Sequence, residues 1–166
     1  MNNKKSKRKH PRLKHYDYSK AGYYYVTICV SERKNLLSRI SFHEFKNEIR
    51  AEDIKIELSN IGKIANTYIL GISHAYESIV LDRYIIMPDH IHLIIFIKPQ
   101  ETTVVSKEIS IFTVIHALKR LITKDIGYNI WQESFYEHVI RDEEELYNAR
   151  KYINDNPLRW YYKNKR

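Results

Sequence analysis

Residues 78 to 97 constrain this chain most: SIVLDRYIIM and HIHLIIFI are two apolar, strand-like runs separated only by Pro88 and Asp89. Proline lacks an N–H and holds φ near one value, so the junction favours a turn. Two runs joined in this way predict an antiparallel hairpin, expected at the centre of a sheet. On a strand, residues two apart share a face, so His90 and His92 project side by side, with Ile94 and Phe96 further along. The turn puts them near a strand end, where a site can be open to substrate. The spacing alone leaves two readings, a pair of buried structural histidines or two metal ligands that need a third partner.

The rest of the chain supplies elements to pack around such a hairpin. YYYVTICV (23–30) alternates Tyr24, Val26, Ile28 and Val30 against Tyr23, Tyr25, Thr27 and Cys29, which predicts a strand with Cys29 in the core. A short helix is expected around FHEFKNEIR, then a shorter strand at IKIEL (54–58). Ser59 or Asn60 caps a helix with Ile61, Ile64, Ala65, Tyr68, Ile69 and Ile72 at 3.6-residue spacing, so one side of it packs on a sheet. The segment 101–109 reads as irregular. A second helix runs from Ser110 to about Asp125 with Ile111, Val114, Ile115, Leu118, Leu121 and Ile122 on one face, and Gly127 stops it. Its other face carries Thr113, His116, Arg120 and Lys124, either a solvated stripe or one that follows a phosphate backbone. WQESFYEHVIR (131–141) contains a strand or an extended crossing, and Asp142 caps a helix over EEELYNARKYINDN whose apolar stripe is Leu146, Ala149 and Ile153 and which ends before Pro157. The sum is an α+β fold, an antiparallel sheet of four to five strands with three helices packed against it.

Charge separates the first residues from the rest. Residues 1–15 hold Lys4, Lys5, Lys7, Arg8, Lys9, Arg12 and Lys14 and no acid, leaving 21 bases against 20 acids in the remainder. Such a run buries no apolar surface; it is expected to be mobile when free and to serve either as a solubilising terminus or to attract polyanions through counterion release. LRWYYKNKR at the other end mixes bases with aromatics and could also touch nucleic acid. The 166 residues suit one domain, residues 16–166, after this tail. One cysteine excludes an internal disulfide framework, and no apolar stretch approaches the ~20 residues of a membrane helix, so a cytoplasmic protein without a membrane partner is expected.

A partner for the histidine pair is available on the last helix. Tyr152 and Asn156 are four residues apart and lie one turn above the other on one face. A tyrosine hydroxyl is a weak nucleophile while protonated, but a nearby divalent cation polarises the phosphate it attacks, which makes tyrosine a workable covalent nucleophile for phosphoryl transfer. Asn156 can give a carbonyl oxygen to a hard cation alongside two histidine nitrogens. The chain holds 14 tyrosines, so spacing alone does not single out Tyr152.

MPDHIHLI, WQESFYEHVIR and YINDNP, in this order, resemble the REP-associated tyrosine transposases, relatives of single-tyrosine HUH transposases, and YDYSKAGYYYVTICV resembles the opening of one branch of that family. Together these segments span residues 16 to 157. The resemblance implies the HUH core fold, His90 and His92 as ligands of Mg²⁺ or Mn²⁺, Asn156 as third ligand and Tyr152 as nucleophile. His138 and Arg141 fall in the family's H-x-I-R element; for His138 a role supporting the ligands, contacting DNA or holding structure is equally open, and Arg141 is a candidate DNA contact. The activity implied is cutting and rejoining of single-stranded DNA at hairpin repeats through a 5′-phosphotyrosine, by a monomer or homodimer associated with the nucleoid. The rival from another class is a DNA-binding protein of repetitive hairpins that acts without catalysis. An RNA-binding module would explain the exposed tyrosines of YYYVTI but not His90, His92 and Tyr152.

Overall fold

Alternation in the first strand decides which residues meet the site. In a computed structural model, which describes residues 12–42, 53–99 and 109–164, β1 (Gly22–Cys29) buries Tyr24, Val26 and Ile28 on one face and leaves Tyr23, Tyr25 and Thr27 half-buried on the other. Cys29, expected in the core, belongs to this second set and is half-buried, because it is an odd-numbered member of the same alternation. β1 pairs antiparallel with β5 (His90–Ile97) on one side and β6 (Tyr136–Ile140) on the other, and β4 (Ile79–Ile86) pairs with β5, giving the order β4-β5-β1-β6.

The hairpin around Pro88 forms, but it is not central. β5 lies inside the sheet, whereas β4 is an edge strand, as its Asp82 and Arg83 and its exposed Val80 suit. The register of β4 shifts between Leu81 and Arg83, a bulge that makes Asp82 the extra residue.

IKIEL is a strand, β3 (Ile54–Leu58), but it pairs with β2 (Ser38–Phe42) in a separate two-stranded ribbon rather than joining the sheet. SRISF alternates too weakly to announce β2, so four or five strands become four plus two. The helix expected around FHEFKNEIR lies, beyond Phe42, outside the described residues, as do residues 101–108.

The two faces of the sheet carry separate cores. Tyr24, Val26, Ile28, Leu93 and Ile95 pack against α1 (Asn60–Leu70), the short α2 (Ile72–Ala75) and α3 (Ile111–Ile126). Ser59 caps α1 by accepting from Gly62 N–H, and Gly127, at φ 85°, ends α3 in the left-handed region glycine tolerates. Of the face expected on α3, Leu121 is exposed; Lys119 is buried instead, its ammonium donating to the Gln132 and Glu133 carbonyls.

The opposite face belongs to α4 (Glu143–Asn164), whose Leu146 and Ile153 pack on Ile94 and Ile140. Asp142 caps it, accepting from Glu145 N–H at 2.8 Å. The helix does not stop before Pro157 but continues to Asn164 with Pro157 inside it. An internal proline costs about 3 kcal/mol; burial of the following turns opposes that cost, since Trp160 lies beside His90 at 6.0 Å and Tyr161 against Phe42 at 4.4 Å between ring centroids. Among the described residues no helix is long and apolar enough to cross a membrane.

Candidate active site

The half-buried face of β1, the histidine face of β5 and the last helix enclose a cavity of about 610 Å³ lined by His90, His92, Tyr152 and Asn156, together with Tyr25, Thr27 and others. The β1–β5 register puts Thr27 opposite His92 and Cys29 opposite His90. All four residues singled out on sequence therefore converge, although β5 and α4 are far apart in the chain. His90, His92 and Asn156 are 5–6% exposed, whereas Tyr152, which lines the same cavity, is 39% exposed.

Second partners fix both rings. His90 Nδ1 meets the Asp89 carboxylate, whose other oxygen receives Arg33 Nε at 2.6 Å. His92 Nδ1 lies 2.7 Å from Tyr25 Oη and 2.9 Å from Thr27 Oγ1. These oxygen partners at both Nδ1 atoms suit the tautomers that keep a proton there. Both Nε2 atoms then carry lone pairs, and they face each other 3.0 Å apart. Two acceptors at that distance repel unless a proton or a cation lies between them.

Asn156 completes the group, its amide 3.2 Å from His92 Nε2, and a half-turn of that amide presents Oδ1 to the same place. A divalent ion with arms of about 2.1 Å at right angles asks for donors about 3.0 Å apart, so the spacing and the N, N, O donor set both fit one. Among the described residues no group of three His, Cys, Asp or Glu side chains could hold a metal ion; a third donor here would have to be the neutral Asn156 amide.

Burial, then the nearby His90 and Arg33, push His92 down to about 3. It is therefore neutral, and able to ligate, over the ordinary pH range. The unfolded ring titrates near 6.5 and the folded one near 3, so the unfolded state binds the extra proton between those values. The metal-free protein is expected to lose stability progressively as pH falls below 6.5, and urea unfolding of His92→Gln should show a pH dependence shallower by about one proton over that window.

Tyr152 is framed by aromatic edges. Its ring stands edge-on to His92 at 5.5 Å and to Tyr25 at 6.3 Å, with the Arg159 guanidinium 5.1 Å from its centroid. His138 joins the cavity from β6 and meets Glu145 Oε2 at 3.2 Å; the same oxygen accepts the Arg141 N–H, tying β6 to the start of α4.

The remaining DNA candidates separate by place. Arg141 is exposed but does not line the cavity. Arg120 and Lys124 are exposed on α3, which covers the other side of the sheet. Arg12 is likewise on that side, over the Phe112 ring at 4.4 Å and 3.4 Å from Glu137, while Lys14 is exposed; Lys4, Lys5, Lys7, Arg8 and Lys9 lie outside the described residues. The cations that do line the cavity are Arg33, Arg159 and Lys163, none of them a sequence candidate by number, although the basic, aromatic LRWYYKNKR segment contains the last two.

This sheet, with helices on both faces, is a transposase fold. A solved structure of a REP-associated tyrosine transposase bound to a REP hairpin matches with a TM-score of 0.61 and 20% identity over 90% of this chain and 74% of that one. In sequence the chain is 28% identical to a Haemophilus influenzae protein provisionally named a REP-associated tyrosine transposase, over 88% of this chain and 76% of the relative. It is also 28% identical to an uncharacterised protein of the same organism, over 90% of this chain and 87% of that one. No protein-family model matches the chain. The resemblance seen in the short motifs thus extends along nearly the whole length.

Proposed function

We propose that the protein is a metal-dependent, single-tyrosine transposase that cuts and rejoins single-stranded DNA at hairpin repeats. The observation that carries this reading is the convergence of Tyr152 with two histidine Nε2 atoms 3.0 Å apart and an amide 3.2 Å from one of them. His90, His92 and Asn156 would hold Mg²⁺ or Mn²⁺, which when bound takes up part of the negative charge of the scissile phosphate.

Tyr152 attacks that phosphate in line. Its Oη forms the new bond to phosphorus, the bond to the 3′-oxygen breaks, the phenol gives up a proton and the leaving oxygen gains one. The 5′-phosphate stays on Tyr152, so the energy of the broken bond is kept and another 3′-hydroxyl can reverse the attack. One tyrosine per chain means that two simultaneous cuts need two chains. The solved transposase of similar fold is bound to a REP hairpin, which supports hairpin DNA as the partner. The test is a denaturing gel of protein incubated with stem-loop DNA and Mn²⁺: a covalent adduct is expected, and its absence would favour a DNA-binding protein without catalysis.

Positioning of the tyrosine helix gives a further expected result. Arg150 makes a two-pronged pair with Asp82, Nε at 3.0 Å from Oδ2 and Nη2 on Oδ1, and Arg83 Nη1 donates to Asn154 at 2.7 Å. These contacts fall two residues either side of Tyr152, and the bulge lets the adjacent residues Asp82 and Arg83 both reach α4. Small displacements of a reacting group can cost about a hundredfold in rate. Asp82→Ala is accordingly expected to slow adduct formation by about ten- to a hundredfold while DNA affinity, measured by anisotropy, stays within about twofold.

A further inference from the structure

Arg33 stands at the edge of the cavity without belonging to the group that would cut DNA. Its backbone is left-handed at φ 56°, directly after Glu32 at φ 55°. Two successive non-glycine residues there are uncommon and persist only where their surroundings hold them. The guanidinium supplies that hold, with Nε on Asp89 Oδ2 at 2.6 Å and Nη1 on Cys29 Sγ at 2.9 Å. Asp89 is itself buried, so the fork is anchored to the rigid end of the β1–β5 pair.

Two of the five guanidinium N–H groups are used in these bonds, and the other three are unused among the described residues. The side chain is 47% exposed and lines the cavity that holds Tyr152. A guanidinium held at Nε and Nη1, with its side chain half-exposed and Nη2 unused among the described residues, is ready to take a phosphate with little loss of side-chain freedom. Arg159 and Lys163 line the same cavity from α4, so the lining is cationic on both the sheet and helix sides.

We infer that Arg33 is a phosphate clamp, binding a backbone phosphodiester next to the one that is cut and so setting the register of the strand over Tyr152. This deepens the DNA-cutting reading and rests on it.

The test measures binding of a stem-loop oligonucleotide with an unpaired flank, in a Tyr152→Phe background so that nothing is cut, with adduct formation by the unaltered protein followed in parallel. Arg33→Gln is expected to weaken binding about tenfold at low salt and to flatten the dependence of log K on log salt by about 0.7, the increment for one phosphate on a single strand. Arg33→Lys, which keeps the charge, should restore the slope and controls for a folding defect. Replacing flank linkages one at a time by neutral methylphosphonates should reveal one position that weakens binding when Arg33 is present and has no effect in Arg33→Gln.

An unchanged slope and methylphosphonate profile in Arg33→Gln, with weaker Mn²⁺ binding, would overturn the clamp and leave Arg33 acting on His90 through Asp89. If the unaltered protein forms the adduct while Arg33→Gln matches it in slope and profile, the clamp alone falls. If the unaltered protein neither binds nor cross-links the DNA, the DNA-cutting reading falls and the clamp with it.

Discussion

Tyr152→Phe is expected to abolish the covalent protein–DNA adduct, lowering its rate by about a thousandfold or more, because no other group at that position can form the bond to phosphorus. DNA binding should change by no more than about twofold. The substitution keeps the ring that stands against His92, Tyr25 and Arg159 and removes only a hydroxyl on a residue that is 39% exposed. For the same reason stability should shift by less than about 0.5 kcal/mol, in the range of surface changes. The experiment compares adduct on denaturing gels with anisotropy on the same stem-loop DNA. An adduct that survives would move the nucleophile to another tyrosine, with Tyr147, which is 65% exposed, the next to examine by peptide mapping.

Metal binding carries the second large effect and can be read without DNA. Addition of Mn²⁺ is expected to raise the melting temperature of the protein, because the ion relieves the two facing Nε2 lone pairs in the folded state and finds no such site in the unfolded chain. At a hundredfold excess over Kd the gain is about 2.7 kcal/mol, or roughly 5–10 °C for a domain of this size. His92→Ala should lose this response and lose the adduct, while Tyr152→Phe should keep the response and lose the adduct. EDTA should stop adduct formation by the unaltered protein. A melting temperature indifferent to Mn²⁺ and Mg²⁺ would count against the metal reading, whatever the DNA assay gave.

The particular residues show where sequence information stops. The alternation of β1, the capped starts of α1 and α3 and the glycine that ends α3 are local properties, written in residue types a few positions apart, and each is found in the structure. The separate ribbon was not legible, since SRISF carries little apolar signal and pairs with a strand more than ten residues away. Pro157 misleads for a related reason: its local cost is visible, whereas the aromatic contacts of Trp160 and Tyr161 that oppose it are made with His90 and Phe42, distant in the chain. Asp82 as a bulge residue and Arg33 as a left-handed anchor have no signature in spacing at all.

Residue spacing alone establishes that His90 and His92 share a face and that Tyr152 and Asn156 share another, because the periods of strand and helix are fixed by backbone geometry. It could not decide whether those faces look at each other. Only the tertiary structure does so: α4 covers the histidine side of the sheet while α1 and α3 take the other, and two pairs that are each ambiguous alone become one cavity. The cause is physical, since helix and strand periods come from local sterics and hydrogen bonding, whereas the choice of partner face comes from burial of apolar surface contributed by segments spread along the chain.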